Sequence, residues 1–269
     1  MTWSNPAIEA HLYFSTSRSQ KELWVSLSTY GGVNTRQALE VFWAAGIRHV
    51  ELAIGVKPSA DTVEVLRYHR QQGMQYRAHH AVVWQEHRSF NLAQTFDRDY
   101  FERLTDWMAT MNVTAYSVHP GSVRADVLEF DDRALQHLGQ VAQLCHERSI
   151  RLGVETMYPT PLDRDRRELL QNTPEIEQFL EAMPQIELVV DLAHLNLWHG
   201  STLEKLQLLQ LAPERLLEIH ISDDDLVITN IFFVEKDSSG LIFQDDDSLV
   251  VHSQQRELIE NNYLPEVLS

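Results

Sequence analysis

An α/β fold of the (β/α)8 barrel type is what this sequence predicts, and three observations carry the prediction. Short apolar, β-rich runs alternate with longer helix-like stretches along most of the chain. Strand followed by helix, repeated, implies parallel strands buried on both faces. The length, 269 residues, suits one such barrel, and no GxGxxG follows the first strand to favour an open dinucleotide-binding sheet.

Taken in order, the expected strands are Leu23–Ser28, His49–Ile54, Gln75–His79, Ala115–His119, Leu152–Glu155, Leu188–Asp191 and Leu216–Ile221. Between them lie the helical stretches "TRQALEVFWAAG", "SADTVEVLRYHRQQG", "DRDYFERLTDWMATMN", "DDRALQHLGQVAQLCHERS" and "TPEIEQFLEAMP". Several open on Ser, Thr or Asp and two end in Gly, as capping requires. Residues 23–222 are therefore expected to give seven parallel strands, each followed by helix. Residues 1–22 read as an N-terminal extension and 23–269 as a single domain, since no Pro/Gly-rich linker divides the chain.

The end of the chain is atypical. Residues 226–252 read as a hairpin turning at "DSSG", over or beside the barrel mouth. "YLPEVLS" at 263–269 is the expected eighth strand, with the eighth helix missing. Ile8, Leu12, Tyr13 and Phe14 of the extension are apolar enough to cover that seam, with a homodimer partner as the alternative.

Composition excludes several classes. Hydrophobic residues make up 43% of the chain, enough for a sizeable core, and no apolar run approaches a membrane span. No basic region followed by an apolar stretch marks a secretory signal, and a single cysteine, Cys145, cannot form an intrachain disulfide. These features predict a soluble cytoplasmic protein. A formal net charge of −17 argues against a protein whose task is gripping nucleic acid, but leaves room for a small phosphorylated substrate.

The chemistry stands at the strand ends. The third strand ends in His79, with His80 following; the fourth in His119; the fifth in Glu155; the sixth in Asp191, with His194 three residues on; the seventh carries His220. In a parallel barrel these ends share one mouth. A lone histidine there is more often structural, and Asp191 alone could cap the next helix. Five successive strands delivering only His, Glu or Asp are a different matter. Acids facing one mouth repel unless a cation lies between them, and imidazole and carboxylate are the ligands of zinc, manganese and iron.

The motifs "SVHPGS", "GVET", "VVDLAH" and "EIHISD", in this order over roughly residues 23–225, resemble the xylose-isomerase-like TIM-barrel superfamily. Its members include sugar isomerases and epimerases, inosose dehydratases and zinc-dependent AP endonucleases. The resemblance implies a first metal position at His79, His119 and Glu155, with His80 as the alternative to His79. It implies that Glu155 bridges to a second metal on Asp191 and His220, and that His194 is one ligand of a third. Two departures stand out. No Asp-x-His pair follows His220, since Asp247 and His252 are five apart, and Ser269 falls where a glutamate ends the family's eighth strand.

The leading expectation is a metal-dependent sugar or sugar-phosphate isomerase or epimerase, with zinc as the metal and manganese or magnesium as alternatives. A divalent cation would polarise a carbonyl and its neighbouring hydroxyl, and Glu155 or an acid near the C-terminus would move the proton. His80, Trp84, Tyr158 and Trp198 are the candidate substrate-binding side chains, the aromatics either stacking on a sugar face or anchoring loops and core. An AP-endonuclease-like phosphodiesterase and a non-catalytic metabolite-binding barrel are the other two readings.

Overall fold

Parallel strands require crossover connections, and the helices between the apolar runs provide them. The computed structural model describes residues 22–30, 32–127, 132–160, 164–196, 213–221 and 248–251. Strands β1 (Glu22–Ser26), β2 (His49–Leu52), β3 (Gln75–His79), β4 (Ala115–Val118), β6 (Arg151–Glu155), β8 (Glu187–Asp191), β9 (Leu216–Ile221) and β10 (Ser248–Val251) close into a barrel in that order. Every neighbouring pair is parallel. Helices α1 (Thr35–Ala44), α2 (Thr62–Gln71), α3 (Arg98–Thr110), α4 (Asp132–His146) and α5 (Thr173–Ala182) connect them. Their starts follow local chemistry: Asn34 and Gln37 form a capping box, Asp97 accepts from the Tyr100 N–H, and Asn172 accepts from the Glu175 N–H.

Period-two alternation sorts each strand between two environments. Val50, Tyr76, Tyr116, Val154 and Val190 join Leu39, Phe42, Leu66, Leu104, Leu138 and Phe179 in the main apolar core. Their neighbours in sequence face the lumen. Ala115, Val189 and Leu217 form a small apolar cluster there, and Gly153 makes room for it. A Cβ at Gly153 would fall 2.6 Å from side-chain atoms of both Val189 and Leu217.

The barrel's eighth strand corrects the sequence reading. Ser248–Val251 pairs in parallel with both β9 and β1, so this stretch is a barrel stave, not the arm of a hairpin. Residues 222–247 leave ample chain for a parallel crossover, and the edges of β1 and β9 need a partner. The rest of the expected hairpin, residues 226–247 and 252, lies outside the described residues, as do "YLPEVLS" and the N-terminal extension.

A second correction concerns the mouth. β4 and β6 do not run directly into helices. Each is followed by a short strand, β5 (Ser122–Arg124) and β7 (Arg166–Glu168), and these pair antiparallel with Ser122 opposite Glu168. After β8 the described residues form the short α6 (Leu192–Asn196). Among the described residues no helix is long and apolar enough to cross a membrane.

Candidate functional site

Glu155 ends β6 in the middle of the mouth, and three imidazoles converge on its carboxylate. His79 Nε2 lies 2.7 Å and His119 Nε2 3.2 Å from Oε2, while His220 Nδ1 lies 3.4 Å from Oε1. Asp191 ends the adjacent β8 and is buried beside them. Two donor groups result, each with ligand atoms within 4.8 Å of one another: His79, His119 and Glu155, and Glu155, Asp191 and His220. Both could hold a metal ion, and Glu155 belongs to both.

Local structure explains the aim of each side chain. His119 opens the turn "HPGS", whose Gly121 has φ +95 and sits so close to Asn91 that a Cβ would fall 2.3 Å from Asn91 Oδ1. The Asn91 amide then clamps the turn, accepting from the Ser122 N–H at 3.0 Å and donating to the Ser122 carbonyl at 3.0 Å. Asp191 accepts the His194 N–H at 2.9 Å through Oδ1, capping α6, and its own N–H donates to Thr156 Oγ1 at 3.0 Å.

The pair "AHH" is resolved. His79 faces Glu155, whereas His80 turns away with φ +37 and stacks on His119, ring centroids 4.1 Å apart and 8° from parallel. His80 Nδ1 accepts the His119 N–H at 3.3 Å, and its carbonyl accepts from the Tyr116 hydroxyl at 2.8 Å. Burial, with His119 and His79 adding to it, keeps His80 neutral, well below the usual histidine range. His194 stands beside both donor groups without belonging to either: its Nδ1 donates to the Thr156 carbonyl at 2.8 Å and lies 3.6 Å from Glu155 and 4.0 Å from Asp191.

Of the aromatic candidates, Trp84 is corrected. It is 1% exposed and packs against Tyr100 and Trp107 in the core, because the segment after β3 turns inward onto α3. Tyr158 does stand at the mouth, 40% exposed, with its ring edge-on to His194 at 5.3 Å. Trp198 lies outside the described residues.

The electrostatics show how strongly this mouth draws positive charge. Burial alone would raise the Glu155 carboxyl; His79, His220 and His119 outweigh it and hold it well below the carboxylate range. Burial would lower His220 and His79, yet the surrounding carboxylates raise both. Asp191 has less help, and burial followed by the repulsion of Glu155 leaves it raised.

Beneath the mouth lies a set that strand-end reading missed. Glu51, Arg77 and Glu218 are buried in the lumen, and Arg77 Nη1 lies 3.1 Å from Glu218 Oε1. The guanidinium also sits over the Trp24 ring, 4.5 Å from its centroid. Their signal was charge inside the strands, one to three residues before the ends rather than at them. Glu168 on β7 was also missed. It is half-buried, raised by burial, and its charged neighbours are His119, Arg166 and His194.

Comparison with known proteins follows this geometry. Residues 39–238 match the family described as xylose isomerase-like TIM barrel. The chain belongs to that family. None of the curated proteins compared with it matches. Among solved structures it is similar to a D-tagatose 3-epimerase-like protein, with TM-score 0.63 and 15% identity over 92% of this chain and 96% of that one. It is similar to a D-allulose 3-epimerase from Methylomonas sp., solved in complex with D-allulose, with TM-score 0.60 and 15% identity over 93% and 90%. The 3-keto-D-glucoside 4-epimerase from E. coli gives TM-score 0.62 and 10% identity over 92% and 99%. At these identities the likeness is one of fold.

Proposed function

We propose that this family member is a metal-dependent isomerase or epimerase acting on a sugar or sugar phosphate. The observation that carries the reading is the pair of donor groups sharing Glu155 at one end of a closed parallel barrel. The residues fit a divalent cation. Buried carboxylates face imidazole nitrogens, the mixed donor set that divalent cations take. In this reading Glu155, Asp191 and His220 hold one ion, with His79 and His119 close by, and zinc is the first choice for so His-rich a set.

When bound, such an ion polarises a carbonyl and the hydroxyl beside it, acidifying the intervening C–H. The chain's own residues do the rest. Glu155 is the residue assigned to move that proton. Ser248–Val251 contains no acid, so the described part of β10 supplies no second carboxylate. Glu168, between His119 and His194 electrostatically and kept raised by burial, is our candidate for the return transfer. Tyr158 offers an apolar ring to one sugar face.

The test is direct. The purified protein is assayed for bound metal by elemental analysis, then for deuterium incorporation from solvent into a panel of ketoses, with and without chelator. Bound metal with chelator-sensitive exchange is the expected result; no metal and no exchange would sink the reading. A second reading, two-ion cleavage of a phosphodiester, is favoured by the His79–His119–Glu155 group on the other side of Glu155. Incision of an abasic duplex without ketose exchange would select it.

A further inference from the structure

A third cluster of donor atoms lies one layer below the mouth: Glu51, Glu218 and His220. It does not call for an ion of its own, because the Arg77 guanidinium already stands 3.1 Å from Glu218. Its significance lies in His220, which belongs to this cluster and to the mouth. The two ring nitrogens look in different directions. Nδ1 lies 3.4 Å from Glu155 Oε1, and Nε2 lies 3.2 Å from Glu218 Oε2, with Glu51 Oε2 farther off at 3.7 Å.

A neutral imidazole carries one proton, and a cation takes the nitrogen that lacks it. If Nδ1 serves the mouth, the proton belongs on Nε2, where an acceptor must wait. Glu218 is that acceptor. A register shift in the β8–β9 ladder brings it there. Leu188 pairs with Leu216 but Val189 pairs with Glu218, so Leu217 is the extra residue. Leu217 packs on Val189 and Ala115 while Glu218, next in sequence, also reaches the lumen.

We propose that Glu218, anchored by Arg77, is a positioning residue that fixes the tautomer and rotation of His220 so that Nδ1 is presented to a cation held with Glu155 and Asp191. The proposal rests on reading those three residues as a metal-binding group. Carboxylates behind ligating histidines commonly contribute 10–100-fold in metal affinity, which sets the expected scale.

The experiment is a titration of the metal-stripped full chain with Co2+, followed by its visible absorption, and by Zn2+ in competition. Arg77→Met with Glu218→Gln keeps an acceptor for the Nε2 proton without leaving the guanidinium unbalanced, and should bind within about threefold of the parent, well inside the range that losing the acceptor produces. Glu218→Ala removes the acceptor but strands Arg77 in the lumen. The double variant Arg77→Met with Glu218→Leu therefore carries the test, removing the guanidinium together with the acceptor at similar volume and leaving Glu51 as the acid of the lower layer. That variant, shown folded by circular dichroism, should bind Co2+ about 10–100-fold more weakly and with an altered visible band. Parental affinity and spectrum in the Arg77→Met with Glu218→Leu variant would overturn the proposal, as would equally weak binding by the Arg77→Met with Glu218→Gln variant. A parent chain that takes up no Co2+ would overturn the metal-binding reading together with it, which separates the two failures.

Discussion

Two pairs of buried carboxylates occupy this barrel, one above the other, and they are balanced differently. The lower pair, Glu51 and Glu218, has a resident cation in Arg77; against burial, the hydrogen bond with His220 and then the Arg77 charge hold Glu218 low. Around the upper pair, Glu155 and Asp191, the described residues bring imidazoles, His79 and His220, drawn toward protonation by the acids they face. A permanent guanidinium closes a structural site, whereas imidazoles can give up their protons to an incoming ion. On the proposed reading, chemistry belongs to the upper pair and support to the lower.

The contrast is broken most severely at Glu155. Glu155→Ala removes the one residue common to both mouth donor groups and should reduce metal, measured by elemental analysis of the purified protein, to background. Full metal content in that variant would remove the bridging role. Breaking the lower pair should instead show in stability. Arg77→Met leaves Glu218 without its guanidinium in a buried site, and should cost about 3–5 kcal/mol in denaturant unfolding of the metal-free protein. A variant as stable as the parent would mean that Arg77 is not the balancing charge.

Acidity sharpens the comparison. Because His79 and His220 are raised above the ordinary 6.5, their protons stabilise the ion-free fold fully below that value. That contribution is lost as pH rises through the raised folded values. Metal must displace those protons, so the thermal shift produced by added zinc should grow with pH from acid to neutral. A shift that is flat, or shrinks, would contradict imidazole ligation. The smallest effects are expected at the margins of the mouth. His80→Ala removes the ring stacked on His119 and should weaken metal binding by less than about tenfold, the lower bound for a partner that bonds a ligand directly. Loss to background would promote His80 to a ligand.

Much of this was readable from the sequence. Alternating apolar runs and helical stretches gave a parallel barrel, since strand–helix repetition leaves few other ways to bury both faces. The strand-end histidines and acids were legible because a parallel barrel sends all those ends to one mouth, so His79, His119, Glu155, Asp191 and His220 could be grouped before any coordinates. What the sequence could not decide depended on register and on partners far along the chain. Whether His79 or His80 faces Glu155 turns on a one-residue backbone twist at φ +37. Trp84 looked like a mouth aromatic, yet the loop carries it into the core between Tyr100 and Trp107. The eighth strand, Ser248–Val251, was chosen by the free edges of β1 and β9, not by its own composition. The Arg77–Glu218 pair, 141 residues apart in sequence (218 − 77), exists only because barrel closure and a bulge in β9 bring both into one lumen. Local patterning fixes which residues face inward; only closure of the sheet determines which of them meet.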